Sequence, residues 1–192
     1  YKVYVGTGIK TRQAYFNKRK GIRSRTVGGF DNLENISKDE NGNYYYIIED
    51  RSVLDYQYPT EIDMRYHTSW MDFRIGIESV YETDNGKIRV DLNPKYKSTM
   101  DDRLRRWPSK KEEKTPVYLE NAYEFLDIPG EWYMNHHDGY MYYIPRDGED
   151  MSTMCLTVPI SEDIINITGY SSCVPVSNIT FSNLEFSDFG WL

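Results

Sequence analysis

Residues 120–145 read ENAYEFLDIPGEWYMNHHDGYMYYIP, and the rest of the chain is organised around this stretch. Aromatic residues gather about two turn signals, Ile128-Pro129-Gly130 and His137-Asp138-Gly139. Proline presets the φ that the first central residue of a turn needs, and glycine accepts the positive φ that closes a hairpin. The stretch therefore predicts a β-hairpin in which a Tyr133 arm and a Met141-Tyr142-Tyr143 arm are joined by a tight Asp-Gly turn, after a Pro-Gly corner. That is a statement about fold, and no reaction follows from it.

Composition points the same way. The 192 residues are 15% aromatic, with 18 tyrosines, and apolar residues recur with period two more often than at helical spacing. The chain is long enough for a sizeable core. A formal charge of −7 argues against nucleic acid, whose phosphates call for a basic face. No apolar run reaches the length of a membrane span, so no membrane partner is expected. Cys155 and Cys173 allow one bridge at most and read as small buried side chains, with their pairing left open.

Working outward, Tyr1-Lys2-Val3-Tyr4-Val5 alternates like a strand and runs into Gly6-Thr7-Gly8-Ile9-Lys10-Thr11. That segment lacks the spacing and the following helix of a phosphate-binding loop, so it reads as a turn. Residues 12–25 predict two short strands about Asn17-Lys18, with Ala14, Phe16 and Ile22 inward and the cations in solvent. A polar loop over 31–43 leads into the strand Tyr44-Tyr45-Tyr46-Ile47-Ile48, and 50–63 holds a short helix or a turn. Trp70–Val80 alternates, and Asn85-Gly86 turns it into Lys87–Leu92. Residues 94–116 hold the basic run Arg103–Trp107 with Lys110-Lys111, but Glu112-Glu113 follows at once, so a solvated loop is expected.

Beyond Pro145 the register changes. Met154–Val158 predicts a strand closed by Pro159, and 164–169 and 177–186 give short apolar strands with Asn and Gly corners. Their spacing is that of early rungs of a parallel β-helix, each leaving an edge that the next rung must cover. The chain starts inside one alternating pattern and stops just after another, which leads us to expect a piece of a longer protein.

Several phrases occur in an order that resembles a known family: Arg12-Gln13-Ala14-Tyr15-Phe16-Asn17, residues 120–127, Pro129-Gly130-Glu131-Trp132-Tyr133, Tyr142-Tyr143-Ile144-Pro145 and Asn178-Ile179-Thr180-Phe181. They are similar to glycoside hydrolase family 141, secreted right-handed parallel β-helix proteins that carry an inserted β-barrel domain. The resemblance implies a mainly β chain, with an inserted barrel or sandwich-like domain over 1–158 and the first returning β-helix rungs over 159–192. It also implies a bacterial protein, exported to the periplasm or the extracellular space. Its partners would be the rest of the β-helix and, through the parent protein, a polysaccharide or glycan. Lys18 departs from the family's Asn-Gly hairpin, and because lysine tolerates left-handed backbone poorly, a different turn is expected there.

Glycoside hydrolysis needs two carboxylates facing a sugar at set distances. Glu120, Glu124, Asp127 and Glu131 sit at positions suited to capping and turn hydrogen bonds, and in the resembling enzymes the acids would lie on later rungs. No catalytic, cofactor-binding or metal residue is assigned, and no cofactor is expected. His136-His137-Asp138 offers ligands in succession, but neighbouring strand residues point to opposite faces, and His67 is remote in sequence. Of the four tryptophans that could stack on sugar rings, Trp132 reads as core and Trp107 as the better surface candidate, beside Trp70 and Trp191. Asn35, Asn166 and Asn178 begin glycosylation sequons that a bacterial source would leave unmodified. Two functions follow: a non-catalytic domain that shapes or flanks the groove of a glycoside hydrolase, or a self-standing carbohydrate-binding or adhesion module. A hydrolase in its own right would need a close carboxylate pair in one pocket.

Overall fold

The computed structural model describes residues 1–67, 72–106, 115–161, 163–188 and 190. Its strands are β1 (Lys2–Tyr4), β2 (Tyr15–Phe16), β3 (Arg19–Lys20), β4 (Ile22–Arg23), β5 (Ser37–Lys38), β6 (Tyr44–Ile48) and β7 (Asp63–His67). They continue as β8 (Asp72–Glu82), β9 (Ile88–Leu92), β10 (Tyr118–Glu120), β11 (Glu131–Asn135), β12 (Tyr140–Tyr143) and β13 (Leu156–Thr157). Among the described residues one α-helix, α1, spans Lys97–Arg106, and short 3-10 turns cover Ser52–Asp55 and Pro59–Glu61. The chain forms two compact units, Tyr1–Arg23 with Pro129–Leu192, and Ser24–Ile128.

In the first unit, the expected hairpin pairs Tyr133 with Tyr142 and Met134 with Met141 within a sheet of order β1-β12-β11-β4. Its connection is longer than a tight Asp-Gly turn. The Asn135 side chain accepts from the backbone N–H of His137 at 3.0 Å, and Asp138 accepts from Tyr140 N–H at 2.9 Å. Gly139 closes the turn at φ 78°, and a Cβ there would stand 2.8 Å from the Thr7 nitrogen. β4 runs parallel to β11, which demands a long crossover, and the whole of the second unit supplies it.

A smaller sheet, β13-β2-β3, completes this unit around Ala14, Phe16, Trp132, Met134, Met141 and Tyr143. The β2–β3 hairpin corrects the expectation at Lys18. Asn17 at φ 49° and Lys18 at φ 63° both take left-handed backbone, the geometry of a primed two-residue turn. The strain is braced from β13's side, where Asn17 and Cys155 exchange two hydrogen bonds of 2.8 Å.

Over 164–169 and 177–186, where rung strands were expected, the described residues form no strand. The segment holds an isolated bridge between Ser171 and Val174, and Ile164, Ile167, Phe181 and Leu184 are exposed. A rung draws its backbone hydrogen bonds from its neighbours, and none is paired here. Cys155 and Cys173 are free and exposed rather than buried, because β13 is a two-residue strand that leaves Cys155 outside the core and Cys173 sits in this open segment.

The second unit is built on a six-stranded sheet of order β10-β7-β8-β9-β6-β5. Alternation assigns its faces. Ile62, Met64, Tyr66, Ile75, Ile77, Ile88, Val90, Tyr46, Ile48 and Leu119 point into one core with Phe30 and Phe125. Inside it the Tyr66 hydroxyl donates to Tyr46 at 2.9 Å, and burial pushes both phenols far above their usual pKa. β8 keeps its apolar side inward by a bulge between Ile77 and Ser79, which shifts Val80 back onto the core face. Asn85-Gly86 turns β8 into β9 as expected, with Gly86 at φ 79°. The charged segment expected to be a solvated loop contains α1, which anchors through buried Met100 and half-buried Leu104. Trp70, Trp107, Trp191 and Lys110–Glu113 lie outside the described residues.

Candidate functional site

The same alternation that fills the core sends Tyr118 and Glu120, Asp63, Arg65 and His67, Asp72, Arg74, Ser79 and Tyr81, Arg89 and Asp91, and Tyr45 to the other face of the six-stranded sheet. Cross-strand pairing then decides which of them meet. Glu120, 3% exposed, is gripped by Arg74, whose Nε reaches it at 2.6 Å, and by Arg65 at 3.4 Å. Arg65 also clamps Asp72 through Nε–H bonds of 2.7 and 2.9 Å to its two oxygens. Burial pushes the Asp72 carboxyl up, but the hydrogen bonds and charge of Arg65 prevail and hold it below its ordinary value.

Across β6, β9 and β8 lies a second cluster. The Arg89 guanidinium lies 3.9 Å from the Tyr45 ring centroid and 5.9 Å from that of Tyr81. Its Nε donates to Asp91 at 2.7 Å, and Ser79 donates to the other Asp91 oxygen at 2.7 Å. Every one of these side chains is fixed by a neighbour, so little rotamer freedom remains to be lost on binding. Tyr81 is 42% exposed. A guanidinium fork beside an exposed aromatic ring offers hydrogen-bond donors for hydroxyls and a flat face for sugar C–H groups.

The first unit offers a cleft of 590 Å³ lined by Phe16, Met141, Tyr143, Met151, Met154 and Leu156, with Asp150 at its polar end. Phe16 and Tyr143 stack at 3.6 Å. Asp150 accepts from the Ser152 hydroxyl and backbone, which lowers its carboxyl pKa. It is the one carboxylate among the residues lining the cleft, so no acid–base pair faces this space.

The residues singled out in sequence are dispersed. Glu120 belongs to the ion-pair network, Glu124 accepts from Gln57 N–H at 2.8 Å, Asp127 is exposed, and Glu131 is fully buried on β11. His136 and His137 stack at 4.6 Å in the hairpin turn, and His67 Nε2 lies 3.4 Å from Asp72. Trp132 is wholly core, while Asn35, Asn166 and Asn178 are exposed. The outer-face residues Tyr45, Arg89, Tyr81, Arg65, Arg74 and Tyr118 were missed. Their outward parity was readable, but not the strand order that pairs them.

The sequence model of the GH141 insertion domain matches residues 3–146, more than half of the 192 residues. The chain belongs to that family. The resemblance rested on phrases in β2, β10–β12 and their turns, which the matched span contains, and on Asn178-Ile179-Thr180-Phe181, which lies beyond it. A solved structure described as a glycoside hydrolase is similar over 99% of this chain at 25% identity, with a TM-score of 0.69. The chain spans 34% of that structure's length. No match was found among curated proteins.

Proposed function

We propose that this insertion domain is a non-catalytic part of an exported β-helix glycoside hydrolase. In this reading the outer face of its six-stranded sheet flanks the groove through which a polysaccharide or glycan passes. The observation that carries the reading is the braced Tyr45–Arg89–Tyr81 platform, which combines an exposed ring with a fixed donor fork and brings no acid–base pair to a pocket. Asp72, Glu120 and Asp91 on this face are engaged by guanidinium groups, a poor arrangement for proton transfer to a sugar.

Residues 159–192 are the first returning rungs in this account, completed by neighbouring rungs of the parent. Asn178 and Asn183 already hold the left-handed conformation suited to β-helix corners, at φ 60° and 58°. The alternative is a self-standing binding module, favoured by the fact that the platform lies entirely within Ser24–Ile128.

Assaying the parent and this chain side by side on a glycan panel separates the possibilities. Turnover by the parent, with binding but no turnover by the chain, supports the proposal. Turnover by the isolated chain overturns it, and binding equal to that of an inactive parent supports the module.

A further inference from the structure

At the β10 edge of the outer face, Ser24–Thr26 runs alongside the strand. Thr26 N–H donates to the Leu119 carbonyl at 3.0 Å, Asn121 N–H donates to the Ser24 carbonyl at 2.9 Å, and the Arg25 backbone lies opposite that of Glu120 in an antiparallel β-bridge. This pairing sets Arg25 beside Tyr118. Its guanidinium carbon lies 5.0 Å from the Tyr118 ring centroid, and Nη1 donates to the Tyr118 hydroxyl at 3.5 Å. The same ring has the Arg65 guanidinium at 4.8 Å.

The two arginines differ in how their charge is met. Arg65 is neutralised by Asp72 and Glu120, and Arg74 by Glu120. Asp63, on the same face, is only 8% exposed, and Asp91 is held by Arg89 and Ser79. Arg25 is exposed, and among the described residues no carboxylate comes within ion-pair distance of it. A ring rather than an acid holds it, so the fork keeps its full charge with part of its freedom already removed. The Tyr118 hydroxyl, having accepted from Arg25, still has its own hydrogen to donate.

We propose that Arg25 and Tyr118 form a subsite for the anionic group of an acidic sugar, a carboxylate or a sulfate ester. The inference rests on the reading of this face as glycan-contacting. Two oxygens of the anion meet the planar fork, the arrangement in which arginine binds carboxylate and sulfate-like groups best. His67, whose ring lies 6.1 Å from that of Tyr118, borders the subsite on the β7 side.

The test is calorimetric titration of the 192-residue chain at low salt with two probe pairs. One pair is a uronate oligosaccharide and its neutral methyl ester, and the other is a sulfated galactan and its desulfated form. The acidic member of at least one pair should bind about tenfold tighter than its neutral partner, the size expected for one charge-assisted hydrogen-bonded contact. The pair that shows the preference identifies the anion. Arg25→Ala should abolish the preference while leaving the neutral probe's affinity unchanged. Arg25→Lys should restore it in part, since it returns charge without the fork. Unchanged thermal unfolding of both variants shows that the fold is intact. Equal binding of acidic and neutral forms by the wild type, or a preference that survives Arg25→Ala, overturns the subsite alone. Failure of all four probes to bind overturns the glycan-contact reading beneath it.

Discussion

Lys18 holds a backbone at φ 63° that its Cβ disfavours, next to Asn17 at φ 49°. Left-handed backbone costs an L-residue about 1–2 kcal/mol, and glycine escapes most of it. Lys18→Gly should therefore stabilise the chain by about 1 kcal/mol in chemical denaturation. Equal or lower stability would show that the lysine side chain contributes more than the strain removes. Asp72 provides a second residue-scale prediction through its depressed carboxyl pKa. A carboxyl whose pKa is lower folded than unfolded stabilises the fold fully above its ordinary value, here 3.8, and loses that contribution as pH falls through its folded value. The stability gap between the wild type and Asp72→Asn should be constant near neutrality and should close under acid. A gap that widened under acid would contradict the ion-pair assignment to Arg65.

At the level of elements, α1 is the part least written in local sequence. Its residues, KSTMDDRLRR, place only Met100 and Leu104 at a helical spacing among polar neighbours, and that pair packs into the core. Met100→Ala should cost about 2–5 kcal/mol, as buried methionine truncations do. A cost below about 1 kcal/mol in thermal or chemical unfolding would place the helix outside the cooperative unit.

The hairpins were legible because their turn residues are themselves the mechanism: Asn85-Gly86 and Asp138-Gly139 supply positive φ between period-two arms. The β8 bulge also left a trace, since the apolar positions Phe73, Ile75 and Ile77 are odd and Val80 is even. The ion-pair face left none beyond parity. Glu120 meets Arg65 and Arg74 only because β10 docks on β7 and β7 on β8, a long-range choice that no local pattern encodes. The strands expected over 164–169 and 177–186 show the opposite limit, since the apolar pattern and the Asn corners are present but the described residues there form no strand.

The chain carries a GH141 insertion domain over residues 3–146 and forms two compact units, one built around the Trp132 core and one carrying the polar sheet face. The central proposal is that this face, rather than the apolar cleft of the first unit, meets a glycan. Amide and side-chain NMR titration of the isolated chain with the best-binding glycan from the panel tests that claim most directly. The account predicts perturbations clustered at Tyr45, Ser79, Tyr81, Arg89 and Asp91, with no hydrolysis of the ligand during the titration. Perturbations confined to Met141, Met151, Met154 and Leu156, or cleavage of the glycan by this chain, would contradict it.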